Sequence, residues 1–264
     1  MTAFRRERRS AGLSPSLFSC FPITTCLTVP PQIRMNRRIF ALLALVVALV
    51  GCRTKELPHI RVEDYQEKRR SGNPIIRVAC VGDSITYGAG IEGRETNSYP
   101  AQLGEYLGNG FTVRNFGRSG ATLQKAGDLP YWTTDEFRAA DEFQPDVVIL
   151  KLGTNDTKPQ NWKGKAGFIA DYKMLLEHYR KLKSRPKLWV CLPVPVYGDQ
   201  WGISATTLDA VIEAIQEVCD KTKIPVIDLN DALTGHPEMF PDKIHPDANG
   251  AILMAKTVYQ AIRP

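Results

Sequence analysis

Four short apolar runs constrain this chain more than any other feature. They span residues 75–81, 146–152, 187–192 and 225–229; the more polar segment at 111–116 also reads as a strand. Each of the four is rich in Val, Ile and Leu at neighbouring positions, as in strands buried on both faces. Between them lie segments with helical spacing at 98–107, 165–183, 206–221 and 246–262. The last carries Pro246 in its first turn and Asp247 near the positive end of its dipole. Strands that alternate with helices predict an α/β fold, a three-layer sandwich around a central parallel sheet of about five strands. Ligands of such sheets sit beyond the carboxyl ends of the strands, so the segments that leave the strands are where chemistry is expected.

The charge balance removes one large class of partner. The 264 residues carry a net charge of +6, which alone would invite a nucleic acid. Seven arginines and one acid fall in residues 1–51, leaving 27 basic and 27 acidic residues over 52–264. A neutral body offers no phosphate-binding surface, and no nucleic-acid partner is expected. With 43% hydrophobic and 23% charged residues the composition is that of a globular protein, not a disordered or collagen-like one. No fixed-period repeat, CxxC pair or His-rich metal pattern occurs.

The front of the chain reads as an address. From Met35 a basic M-N-R-R is followed by twelve apolar residues, 39–50, and then Gly51-Cys52. Twelve residues fall short of the roughly 20 that span a bilayer, so 35–51 reads as a signal peptide. The ending L-V-G-C resembles a bacterial lipobox, which implies that Cys52 becomes the lipidated first residue of the mature protein. That implies export and a lipid anchor on a bacterial membrane, facing the periplasm or the cell surface, with Cys52 the only membrane attachment. The competing reading is an ordinary secretory signal in which Cys52 is incidental. Residues 1–34 read as an unstructured upstream extension, with translation expected to start at Met35. Residues 52–73 are polar and read as a tether, and 74–264 as the folded domain. Cys80, Cys191 and Cys219 each fall in an apolar element and read as buried thiols.

Four segments carry groups that could work together. V-G-D-S-I-T-Y-G-A-G at 81–90 places Ser84 just after the first strand, at a helix start with free backbone N–H groups. It is not G-x-S-x-G, so an α/β-hydrolase elbow is not met. N-F-G-R-S-G-A-T at 115–122 follows the second strand, where Gly120 would let a backbone N–H approach an oxyanion. L-G-T-N-D at 152–156 follows the third and offers the Asn155 amide. F-P-D-K-I-H-P at 240–246 precedes the last helix. A turn there can aim Asp242 at His245 Nδ1 and leave Nε2 to accept a proton. Taken singly, each segment is also an ordinary turn. Asp83, beside the serine, reads as structural, its carboxylate accepting local N–H bonds.

Together these blocks resemble the SGNH (GDSL) hydrolase family over roughly residues 75–262. The resemblance implies a flavodoxin-like SGNH hydrolase fold and a serine esterase. Ser84 would be the nucleophile, His245 the base and Asp242 its partner. Gly120, Asn155 and the Ser84 N–H would form the oxyanion hole. No metal or organic cofactor is required by that chemistry.

The segments G-A-G-I-E-G-R-E-T-N-S-Y-P, L-P-Y-W and G-T-N-D-T-K-P-Q-N-W are similar to the branch that removes acetyl groups from carbohydrates, sialate or polysaccharide O-acetylesterases. That implies an O-acetylated carbohydrate as partner. Trp132, Trp162, Trp201, Tyr131 and Tyr197 fall in predicted loops, and Tyr131, Trp132 and Trp162 are candidates for stacking on sugar. The same aromatics could instead cover the edge of the core; Trp189 lies in a strand and reads as core. Two alternatives stay open: a lysophospholipase or thioesterase on the same scaffold, and a glycan-binding lipoprotein without activity.

Overall fold

The computed structural model describes residues 75–263. The expected upstream extension (1–34), signal peptide (35–51), lipid-attachment residue Cys52 and tether (52–73) lie outside the described residues. The chain runs from β1 (Ile76–Gly82) through α1 (Ser84–Tyr87), α2 (Arg94–Asn97) and α3 (Tyr99–Leu107) into β2 (Phe111–Gly117). Then follow α4 (Asp135–Glu142), β3 (Val147–Lys151), α5 (Lys165–Arg180), β4 (Lys187–Cys191) and α6 (Ala205–Thr222). It closes with β5 (Val226–Ile227), α7 (Leu229–Leu233) and α8 (Ala248–Ile262).

The five strands form one parallel sheet in the order β2-β1-β3-β4-β5. This is the flavodoxin-like order, in which the winding reverses between β1 and β3. β1 pairs with β2 from Ile76 opposite Phe111 to Gly82 opposite Gly117, and with β3 from Val78 opposite Val147. The ends of β1 and β3 therefore lie side by side at the switch point, and the segments after them open into one crevice.

The pleat divides the core as double-sided burial requires. Ala79, Val81, Val148, Leu150 and Val190 face α5 and α6, packing with Phe168, Tyr172, Leu175, Val211 and Ile215. Val78, Cys80, Ile149, Trp189 and Cys191 face α3 and α8, packing with Leu103, Met254 and Val258. Each fully buried Leu, Ile or Val adds about 1.5–3 kcal/mol of transfer free energy, so both helical layers are held by the sheet. Cys80, Cys191 and Cys219 are buried free thiols. Burial pushes the Cys80 and Cys219 thiols up to about 12, which keeps them unreactive.

Besides the short α2 and α7, which the sequence reading did not contain, β5, the last helix and α4 differ from expectation. β5 is only Val226–Ile227, because the Asp228 side chain accepts the Asp231 N–H at 2.8 Å and starts α7 at Leu229. The last helix begins at Ala248 and not at Pro246; Asp247 is its N-cap, accepting the Gly250 N–H at 2.9 Å. α4 was not expected at all. Its strongly charged sequence buries only Ala140, but Thr134 caps it through the Phe137 N–H.

Candidate active site

The first block makes a tight turn out of β1. A Cβ on Gly82 would lie 2.1 Å from Thr86 Oγ1 and 2.6 Å from the Lys151 carbonyl oxygen, so only glycine fits there. Asp83 caps α1 by accepting the Ile85 N–H at 3.0 Å. Ser84 is the first residue of that single turn, where a backbone N–H has no intrahelical acceptor. Its side chain reaches the crevice with the residue 8% exposed, enough to meet substrate and little enough to limit water.

Ser84, His245 and Asp242 form an unbroken chain of hydrogen bonds across 161 residues of sequence. Ser84 Oγ lies 2.8 Å from His245 Nε2, and His245 Nδ1 lies 2.7 Å from Asp242 Oδ2. An ionised carboxylate only accepts, so Nδ1 carries the proton and donates it; Nε2 is left to accept from the serine hydroxyl. The other oxygen, Asp242 Oδ1, accepts the backbone N–H groups of Ile244 at 2.9 Å and His245 at 2.7 Å. Partial burial pushes the Asp242 carboxyl up. The His245 N–H, the imidazole and the Ile244 N–H outweigh it and hold the carboxyl below its ordinary value. Asp242 thus remains an anion that orients the ring.

The expected oxyanion donors sit on neighbouring, interlocked loops. Gly120 has φ +83°, a left-handed conformation that L side chains rarely adopt. Its loop is pinned to β1, because the Arg118 N–H donates to the Gly82 carbonyl at 2.9 Å. Asn155 is 3% exposed, and its Nδ2 donates to the Ala121 carbonyl at 3.1 Å, one residue beyond Gly120. That uses one of the two amide hydrogens and leaves the second for a ligand. Asn161 in turn donates to the Asn155 carbonyl at 3.0 Å and to Asp128 at 2.9 Å.

Two buried titratable residues to which the sequence reading gave no role, Lys151 and Asp156, hold this architecture. Lys151, the last residue of β3, is fully buried; its Nζ lies 3.1 Å from both oxygens of Asp83 and 2.8 Å from Thr154 Oγ1. It therefore joins the residue before the serine to the residue before Asn155. Burial pushes its ammonium down, and Asp83 opposes that. A lysine inside the run D-V-V-I-L-K-L was the available signal. Asp83 is structural as expected, through this ion pair as well as its N–H bond. Asp156 accepts the N–H groups of Leu123 at 2.9 Å and Gln124 at 2.8 Å, and burial pushes its carboxyl up to about 7.

The aromatic candidates fall out differently. Tyr131 is fully buried and its hydroxyl donates to the Phe116 carbonyl at 2.7 Å, so it cannot meet a sugar. Trp132 is half-buried, donates from Nε1 to the Leu123 carbonyl at 2.8 Å, and carries the Lys125 ammonium 4.1 Å from its ring centre. Trp162 packs on Phe168 with ring centres 5.8 Å apart. These three rings serve the core and its edge. The aromatic at the site is Trp201, whose ring centre lies 5.4 Å from that of His245.

Residues 80–251 match the model of the GDSL-like lipase/acylhydrolase family. The chain belongs to that family. It is 38% identical over 207 residues to an acetylxylan esterase of Xylanibacter ruminicola, covering 71% of this chain and 43% of that protein. The chain thus spans less than half the length of this curated relative. Among solved structures it is similar to a carbohydrate acetylesterase from Sinorhizobium meliloti (21% identity, TM-score 0.60, covering 70% of this chain and 97% of that one). It is also similar to an acetylxylan esterase from Geobacillus stearothermophilus (19% identity, TM-score 0.57, 72% and 94%). At these identities the two structures speak for the fold, an α/β sandwich around a parallel sheet.

Proposed function

We propose that this chain is a serine esterase that removes O-acetyl groups from carbohydrate, with acetylated xylan the foremost substrate. The observation that carries the reading is the continuous Ser84–His245–Asp242 hydrogen-bond chain at the switch point of a family fold. The 38% identity to an acetylxylan esterase supports the substrate class.

The chemistry follows from the residues. Ser84 is a weak nucleophile until His245 Nε2 takes its proton during attack on the acetyl carbonyl. The tetrahedral oxyanion sits among the Ser84 N–H, the Gly120 N–H and the free hydrogen of the Asn155 amide. His245 returns the proton to the departing sugar oxygen, leaving acetyl on Ser84. Water then attacks that ester with His245 as base again, releasing acetate and restoring the serine.

Upstream of the domain, the lipobox-like L-V-G-C supports export and lipid attachment at Cys52. A radiolabelled fatty acid fed to cells should label the full chain and fail to label Cys52→Ser; equal labelling removes the anchor. For the activity, acetate or fatty-acid release should be measured side by side on acetylated xylan, O-acetylated sialic acid and a long-chain lysophospholipid. Acetate from xylan supports the reading. Release from the lipid alone keeps the mechanism and overturns the substrate.

A further inference from the structure

Trp201 is the most exposed large apolar side chain among the described residues, at 59%, and it stands beside the base of the triad. Its ring is tilted 48° to the His245 ring, so the indole is not stacked flat on the imidazole. An exposed indole is unfavourable in water, and here the backbone is also unusual. Trp201 has φ +51° and the next residue, Gly202, φ +78°, with the Ile203 N–H donating to the Gln200 carbonyl at 2.8 Å. Positive φ at both central residues is the pattern of a type I′ turn, which suits Asn or Gly and not a bulky ring. A bulky residue persists in such a conformation only where its surroundings over-determine it, and such outliers cluster at functional sites.

The turn is held from both sides of the site. The Tyr197 N–H donates to the Lys243 carbonyl at 2.9 Å, tying this segment to the loop of Asp242 and His245. The Ser204 N–H donates to Thr157 Oγ1 at 3.2 Å, tying it to the turn that carries Asn155. The indole is thus pre-positioned by the same two loops that hold the base and the oxyanion donor.

We infer that Trp201 is the sugar platform of this site, binding the pyranose ring next to the acetyl group under attack. An acetyl ester places one oxygen between the acyl carbon and the sugar ring, so the ring must lie against the rim of the triad. An exposed indole matches the apolar C–H face of a pyranose and loses little conformational freedom when it binds. This inference rests on the carbohydrate reading above.

The test compares Trp201→Ala and Trp201→Phe with wild type on acetylated xylan and on triacetin, an acetate ester without a ring. Trp201→Ala should raise KM on xylan roughly tenfold, the scale of one lost stacking contact. The loss of kcat/KM on triacetin should be at least about fivefold smaller than the loss on xylan, and Trp201→Phe should recover most of the xylan loss. The side chain is 59% exposed and belongs to neither core cluster, so alanine there opens no cavity in the core. An equal loss on both substrates would overturn the inference, since the indole would then act through His245. An unchanged xylan KM would overturn it too, while leaving the deacetylase reading intact. Wild type that cleaves triacetin but no acetylated glycan would end the carbohydrate reading and this inference with it. A second readout is binding alone. Xylo-oligosaccharide should alter indole fluorescence of Ser84→Ala protein, and that change should vanish when Trp201→Ala is added; a persisting change would refute the platform.

Discussion

Replacing Lys151 with methionine removes the buried cation that joins the nucleophile turn to the Asn155 turn. In the folded protein Lys151 and Asp83 are both fully buried, with Nζ 3.1 Å from each carboxylate oxygen. At that separation two unit charges attract by about 5 kcal/mol for an effective dielectric near 20, largely offset by the cost of burying them. Taking away one partner removes the attraction and leaves the cost. Asp83 would retain one backbone donor, Ile85 N–H, and a buried, unpaired charge. Such breaks typically cost about 3–5 kcal/mol. A domain is stable by only about 5–15 kcal/mol, so Lys151→Met should lose a large fraction of the total. Urea unfolding followed by circular dichroism measures this directly, with the midpoint expected to fall by more than about 1 M. Because Asn keeps the N-cap acceptor without the charge, Asp83→Asn combined with Lys151→Met should recover much of the loss. A single variant destabilised by less than about 1 kcal/mol, or a double variant worse than both singles together, would refute the reasoning. Where Lys151→Met folds, its kcat should fall with KM little changed, because both loops it joins serve the transition state.

Other perturbations probe the neighbouring groups. Asn155→Ala should lower kcat by about 10²–10³ with a small KM change in steady-state kinetics; a KM change alone would move Asn155 from the oxyanion to substrate binding. Asp156, pushed up to about 7 by burial against two N–H donors, holds its proton more tightly folded than unfolded. Its contribution to stability is full below the ordinary value of 3.8 and is lost as pH rises to about 7. Relative to Asp156→Asn, wild type should therefore lose stability in urea unfolding between pH 4 and 7, and a relative gain would contradict the burial argument.

The parts of the fold legible in sequence were those with burial on both faces. β1, β3 and β4 read directly because neighbouring positions face opposite helical layers and both demand apolar side chains. β5 was overestimated since Val226, Ile227 and Leu229 are all apolar, and only the Asp228 cap separates strand from helix. α4 was missed because its charged surface hides the pattern, although Thr134 followed by two acids was a start signal. Ser84 was legible because its motif leaves β1; Asp242 and His245 lie well past β5, on the loop before α8, and were legible through their three-residue spacing. What held them was not: Lys151 looks like a flaw in an apolar run until its partner 68 residues away is in place. The aromatics show the same limit. Tyr131 and Trp201 both read as loop residues, yet one is fully buried and the other stands open beside His245.

The central claim is that Ser84, activated by His245, carries the acetyl group. Acetate release from acetylated xylan by wild type, Ser84→Ala and His245→Ala, each checked for folding by circular dichroism, tests it most directly. The account predicts that both substitutions lower turnover by at least about 10³-fold while the proteins stay folded. Folded Ser84→Ala protein that releases acetate within tenfold of the wild-type rate would contradict it.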